Sequence, residues 1–166
     1  MLTPRLGPPS AYISARRMNP VFTMKQIVFF NNKGGVGKTT VINHLGYALE
    51  KKGKKVLFVD ADPQCNLTAY NLTDPQIDAI WNGKTSIYNV VEPLVGGIGD
   101  INTAIVPHRM PSRNIWLLPG DILLSDFEQF LSERWVEVLA GREAGFRVTS
   151  GIYRWIENWG RNNAID

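Results

Sequence analysis

The residues best equipped for chemistry are Asn31-Asn32-Lys33-Gly34-Gly35-Val36-Gly37-Lys38-Thr39-Thr40. Glycines carry no Cβ, so the backbone N–H groups of Gly34, Gly35, Val36 and Gly37 can converge on an anion. A helix beginning near Lys38 adds the positive end of its dipole. Lys38 supplies a point charge for β- and γ-phosphates, and the Thr39 hydroxyl, followed by Thr40, is the natural Mg²⁺ ligand. The ordinary phosphate-loop pattern G-x-x-x-x-G-K-[ST] asks for glycine at position 32, where this chain has Asn32. In its place stands K-G-G-x-G-K-[ST], with a second lysine, Lys33, ahead of the glycines. From average residue usage, all the specified positions of that pattern match by chance on the order of 10⁻⁵ times in a chain this long. A glycine-rich surface turn with incidental lysines is therefore the weaker reading.

A second stretch, Asp60-Ala61-Asp62-Pro63-Gln64-Cys65-Asn66-Leu67-Thr68, places two carboxylates at i and i+2 on a loop. Such a pair can face one metal–phosphate site, although the stretch taken alone reads first as a turn with capping aspartates. His44 and His108 stand isolated, without a cysteine or second histidine at ligand spacing, so structural or surface roles suit both.

The elements that must position these groups follow from periodicity. Lys25 to Phe30 is a continuous apolar run, as expected for a parallel strand covered on both faces, and it leads straight into the glycines. Val41, Leu45, Ala48 and Leu49 recur at helical spacing, and Gly53 closes that helix. Val56-Leu57-Phe58-Val59 forms a second buried strand ending at Asp60. Strand, helix and strand make a βαβ unit with a right-handed crossover and parallel strands, and ligands in such sheets collect at the carboxyl ends of strands.

Further along, Pro75–Trp81 and Ser86–Val91 read as short helices, Val95–Gly99 as loop, and Ala104–Val106 as a short strand. Ile115–Leu118 is a third strand, ending in Pro119-Gly120. Ser125 and Glu128 form a capping box for a helix carrying Phe127, Phe130, Leu131, Trp135, Val138 and Leu139, stopped by Gly141. A last amphipathic helix places Val148, Ile152, Trp155, Ile156 and Trp159 on one face. Arg154, Glu157 and Arg161 mix charge signs on the other face, so the aromatic stripe reads as core rather than as a nucleic-acid platform.

Composition sets outer bounds. The chain has 166 residues, 44% hydrophobic with five tryptophans, which suits one globular domain. Its formal charge of +3 comes from Arg5, Arg16 and Arg17, since from Lys25 onward fifteen basic residues balance fifteen acidic ones. The basic pI therefore says nothing of a nucleic-acid partner for the folded part. Cys65 is the sole cysteine, which excludes an intrachain disulfide and favours a reducing compartment. No apolar run is long enough to cross a bilayer, so no membrane partner is expected and the location reads as cytoplasmic. Residues 1–23, with four prolines and no acidic residue, read as a disordered leader or an over-extended start. Met18 or Met24 is then the true beginning.

The motif K-G-G-x-G-K-[ST] resembles the deviant phosphate loop of the ParA/MinD family of partitioning and positioning ATPases. The Asp60–Thr68 stretch resembles the D-x-D-P-Q-G-N segment of its ParA branch, with Cys65 where the family usually has glycine. Ile115-Trp116-Leu117-Leu118-Pro119 is similar to a further family segment. The resemblance implies an α/β, P-loop NTPase-like three-layer sandwich with a mainly parallel sheet. The resemblance covers residues 25 to about 163 and implies a partial domain over 24–166, incomplete at the C-terminus, because the apolar strand ending in aspartate that completes the metal site in relatives is not found.

What the family implies for individual residues is specific. ATP and Mg²⁺ are the cofactors, held by Lys33, Gly34, Gly35, Val36, Gly37, Lys38, Thr39 and Thr40, with Thr39 and Asp60 serving the metal. Lys38, Asp62 on the hydrolytic water, and Lys33 reaching across a nucleotide-sandwich homodimer carry catalysis. A ParB-like activator is a further implied partner, and DNA binding belongs only to an intact relative. The reading is an ATP-binding and hydrolysing dimeric switch for partitioning or positioning. The alternative is a truncated, non-hydrolysing nucleotide-binding module or an inactive remnant. A single cysteine excludes the cluster chemistry of nitrogenase iron-protein relatives within this chain.

Overall fold

The structure, a computed structural model, describes residues 24–31, 33–112 and 114–166. The leader expected over 1–23 and the departure at Asn32 lie outside the described residues. The described elements run α1 (Lys38–Lys51), β1 (Val56–Val59), α2 (Asn66–Asn71), α3 (Asp74–Asn82), α4 (Ile87–Val95), β2 (His108–Arg109), β3 (Ile115–Leu118), α5 (Leu124–Leu139), α6 (Glu143–Thr149) and α7 (Gly151–Asn163).

The strands form one sheet in the order β1-β3-β2. β1 and β3 are parallel, with Val56 opposite Ile115 and Val59 opposite Leu118, while β2 runs antiparallel to β3. Side chains alternate across a strand, so the apolar runs of β1 and β3 must be covered twice. Val56, Phe58, Ile115 and Leu117 point to one face, where Ile42 and Tyr47 of α1, Leu67 of α2 and Ile77 and Ile80 of α3 meet them. Leu57, Val59 and Leu118 point to the other, against α4, α5, Val148 of α6 and Trp155 of α7. Two helical layers around a mixed sheet make the chain an α/β three-layer structure.

Two contacts fix how closely the layers approach. A Cβ at Gly46 of α1 would overlap the Phe58 ring, so only glycine allows that helix onto β1. On the opposite face Trp155 is buried and stacks on Trp159 at 6.0 Å, which meets Trp116 edge-on at 5.9 Å. Burying an aromatic of that size removes about 150–250 Å² from water. At ~25 cal/mol per Å² that stabilises the layer by about 4–6 kcal/mol before entropy is counted.

Five local expectations are corrected. Lys25–Phe30 forms no strand, and Ile27, Val28 and Phe30 are 62%, 85% and 85% exposed. Met24 packs on Gly160 and Gln26 donates to Glu157 Oε1 at 2.7 Å, so the run sets out across α7, where no described strand lies alongside it. A strand is stable only through a neighbour's ladder, which makes the βαβ unit visible here as its helix and second strand alone. Ala104–Val106 is held in a turn, with the Ala104 N–H on Asn102 Oδ1 at 3.0 Å, and the strand starts only after Pro107. Ser125 caps nothing because its hydroxyl donates to the Ile122 carbonyl, and α5 begins one residue earlier. The capping boxes lie instead at Thr73/Gln76 and Ser86/Asn89. Finally, α5 turns Trp135 and Leu139 outward, because its second half packs on α6 rather than on the sheet. The last helical stretch also breaks at Ser150 into α6 and α7.

Candidate functional site

The loop ahead of α1 is shaped by Gly35 and Gly37, at φ +70° and +83°. L-residues with a Cβ rarely adopt this left-handed region, and alternating it with right-handed residues turns successive N–H groups toward one concavity. Gly37 is the N-cap of α1 and offers no capping side chain, and the first helical bond is Val41 N–H to the Gly37 carbonyl at 2.9 Å. The N–H groups of Gly34 through Thr40 therefore find no acceptor among the described residues. These are the orphan donors of a helix start, extended backward by the glycines.

Lys38 lies over this loop. Its Nζ donates to the Asn31 carbonyl at 2.8 Å and more weakly to that of Lys33 at 3.4 Å. The Lys33 N–H donates to Asn31 Oδ1 at 2.8 Å, and its side chain is exposed. Thr39 is half-buried on the first turn, with Asn43 one turn further along the same helix face. Asn43 is buried, and its side-chain oxygen has no hydrogen-bond partner among the described residues.

Asp60 emerges from the carboxyl end of β1 into a closed polar knot. It is buried, and its Oδ2 accepts the Thr68 N–H at 2.8 Å and the Thr68 hydroxyl at 2.6 Å. The same hydroxyl oxygen accepts the Gly120 N–H at 2.7 Å, tying the end of β1 to the end of β3. A Cβ at Gly120 would stand 2.9 Å from Asp60 Oδ2. Burial raises the Asp60 carboxyl above its ordinary value, against the pull of both Thr68 hydrogen bonds. Asp62 faces elsewhere: its Oδ1 accepts the Gln64 N–H at 2.9 Å, and its carbonyl accepts the Cys65 N–H at 2.9 Å. That is the capping turn, and the Asp62 N–H also donates weakly to Asp60 Oδ1 at 3.4 Å, so the two carboxylates are linked through the backbone and share no donor. Among the described residues no hydrogen bond joins either of them to the glycine loop.

Cys65 N-caps α2 at φ +53°, a left-handed conformation that glycine adopts freely. Its thiol is buried against Gly120 and donates weakly to the Pro63 carbonyl. Burial, together with the charges of Asp60, Asp121 and Asp62, pushes it up to about 12. Beyond it, buried Asp121 accepts the Ser86 hydroxyl at 2.6 Å and the Leu123 N–H at 2.9 Å, fixing the starts of α4 and α5.

Sequence reasoning missed Thr68, Asn43 and Asp121. Thr68 closes the nine-residue stretch that begins at Asp60, and Asn43 sits at i+4 from Thr39. Their spacing was visible, whereas their burial was not.

Similarity to known proteins bears directly on this arrangement. A family model described as an AAA domain matches residues 24–140, spanning both the glycine loop and the Asp60 knot. The chain is 31% identical over 135 residues to the probable plasmid-partitioning protein ParA of Thermus thermophilus, covering 81% of this chain and 36% of that protein. It is 38% identical over 101 residues to the chromosome-partitioning ATPase Soj of Treponema pallidum, covering 61% and 34%.

The chain belongs to the ParA/MinD family of P-loop ATPases.

Among solved structures, protein DIP2308 of Corynebacterium diphtheriae superposes with a TM-score of 0.71 at 34% identity, over 83% of this chain and 49% of that one. The ParA/MinD chain described here spans about a third of the length of the curated relatives it matches. None of its helices, among the described residues, is long and apolar enough to cross a membrane.

Proposed function

We propose that the chain binds ATP with Mg²⁺ at the glycine loop and serves a ParA-type, nucleotide-dependent switch in partitioning or positioning. One observation carries this reading: the amides of residues 34–40 have no acceptor among the described residues, on a loop shaped by two left-handed glycines whose leading carbonyls, Asn31 and Lys33, hold the Lys38 ammonium. Preorganised N–H donors and a fixed cation stabilise phosphate charge without reorganisation. Lys38 exchanges its two carbonyl acceptors for phosphate oxygens, and Lys33, exposed on the rim, is free to reach the nucleotide of a second copy in a homodimer.

The donors present suit Mg²⁺, which takes hard oxygen ligands and keeps several waters. The Thr39 hydroxyl would hold the ion directly, and the buried Asp60 carboxylate, with Thr68 behind it, would hold its shell. Bound there, the ion supplies charge neutralisation for the phosphates. Asp62 is the group assigned to orient the attacking water, and a ParB-like protein is the proposed activator.

A second reading keeps binding and drops hydrolysis. It is favoured by Asp62, whose carboxylate is engaged by the Gln64 N–H in a local turn. Steady-state ATP turnover and equilibrium nucleotide binding of the wild type and Lys38→Ala separate the two. Turnover that Lys38→Ala abolishes supports the switch. Binding that Lys38→Ala weakens, with turnover equal in both proteins, supports the non-hydrolysing module. No affinity for Mg·ATP refutes both.

A further inference from the structure

The buried polar side chains in the candidate site divide into those the fold satisfies and one that it does not. Asp60 has Thr68 twice, and Asp121 has Ser86 and Leu123. Asn43 is only 8% exposed, and its side-chain oxygen has no partner. Leaving such an acceptor dry costs as much as the hydrogen bond it lacks, so a fold that retains it needs a reason.

The packing of α1 on β1 places Asn43 at the site. The turn after α1 sends β1 back antiparallel to the helix, and Gly46 of α1 sits against Phe58 of β1. From Gly46 back to Asn43 the helix rises about 4.5 Å. From Phe58 forward to Asp60 the strand rises about 6.6 Å. Asn43 is therefore level with the carboxyl end of β1, on the face of α1 that also carries Thr39, between the two residues assigned to the metal. Among the described residues nothing donates a hydrogen bond to the Asn43 side-chain oxygen there.

We propose that Asn43 is a positioning residue whose side-chain oxygen accepts a hydrogen bond from a water of the Mg²⁺ shell, so that it is satisfied only when nucleotide and cation are both bound. The inference rests on the phosphate-site reading above. It makes the empty site the state that carries the unsatisfied group and the loaded site the state that relieves it, a difference that favours loading.

The test is thermal unfolding of the full chain, as wild type, Asn43→Leu and Asn43→Ala. Each is measured alone, with a non-hydrolysable ATP analogue in EDTA, and with the analogue across a Mg²⁺ titration. Removing a residue that orients a metal's ligands typically weakens metal affinity 10–100-fold. The expected result is a ligand-free midpoint for Asn43→Leu at or above that of the wild type, an unchanged shift with analogue in EDTA, and a Mg²⁺ half-effect concentration at least tenfold higher. Asn43→Ala, which fits the site without overpacking, is expected to show the same Mg²⁺ displacement. A Mg²⁺ midpoint equal to wild type in either folded variant overturns the proposal and leaves the phosphate site standing. A wild type that responds to neither analogue nor Mg²⁺ overturns the phosphate site and this inference together.

Discussion

Thr68→Val isolates the knot that joins the ends of β1 and β3. The Thr68 hydroxyl donates to Asp60 at 2.6 Å and accepts from Gly120 at 2.7 Å, and valine keeps the shape while removing both bonds. A hydrogen bond to a charged group contributes about 1.5–3 kcal/mol, and an orphaned buried N–H costs about 1–3 kcal/mol. Both run through one oxygen and the Thr68 N–H still holds Asp60, so the terms overlap to about 3 kcal/mol at neutral pH. With a urea slope of about 1–3 kcal/mol/M, the midpoint moves down by roughly 1–3 M.

The pH dependence carries the diagnosis. Asp60 is already raised by burial, with Thr68 pulling it down, so losing the hydroxyl raises the folded-state carboxyl further. A group whose folded value is raised is most costly to the fold when ionised. The deficit of Thr68→Val relative to wild type is then full at neutral pH and shrinks as pH falls through the raised value. Urea titrations followed by tryptophan fluorescence at several pH values, with Thr68→Ser as the control that keeps the oxygen, measure this. A Thr68→Val deficit within about 0.5 kcal/mol of Thr68→Ser, or one independent of pH, would refute the reasoning, since surface-like substitutions fall in that range.

Other perturbations follow from single contacts. Gly46→Ala forces a methyl into the Phe58 ring, and despite its better helix propensity is expected to cost about 1–3 kcal/mol in chemical denaturation. Cys65, pushed up to about 12, is almost wholly thiol at pH 8, so iodoacetamide is expected to label the native chain at least ~100-fold more slowly than the urea-unfolded chain. The two Arg154 hydrogen bonds on Asp100, at 2.6 and 3.0 Å, hold that carboxyl down at about 2, from an ordinary 3.8. The stability they add is present above 3.8 and is lost as pH falls toward 2. Because the pair is part-exposed, Arg154→Gln is expected to cost less than about 1 kcal/mol at pH 7, a deficit that fades as pH falls through about 2.

Much of the site was legible because its signals are local. Left-handed glycines, a helix start and a lysine at fixed spacing are properties of ten consecutive residues, and β1, β3 and α1 stand within a residue or two of where periodicity placed them. What escaped depended on partners distant in sequence. The apolar run Lys25–Phe30 has strand composition, yet only a neighbouring ladder makes a strand. The Asp60-x-Asp62 spacing told of a turn with capping aspartates, but not that Thr68, itself bonded by the Gly120 N–H, would hold the first carboxylate while the Gln64 backbone N–H holds the second. Cys65 could be flagged as an oddity from sequence, whereas its positive φ, which explains why glycine suits that place, needs the backbone.

If the glycine loop binds phosphate as proposed, the two carbonyls that hold Lys38 make anion entry an exchange rather than an addition. The Asn31 and Lys33 carbonyls are dipoles that hold the ammonium without cancelling its charge, and under the proposed reading an incoming phosphate must compete with these oxygens of the chain itself. Measured affinity then understates the intrinsic strength of the cradle by the cost of that release. Under that reading, monoanions such as chloride, which cannot replace both oxygens at once, would be discriminated against in favour of ligands that offer several oxygens together.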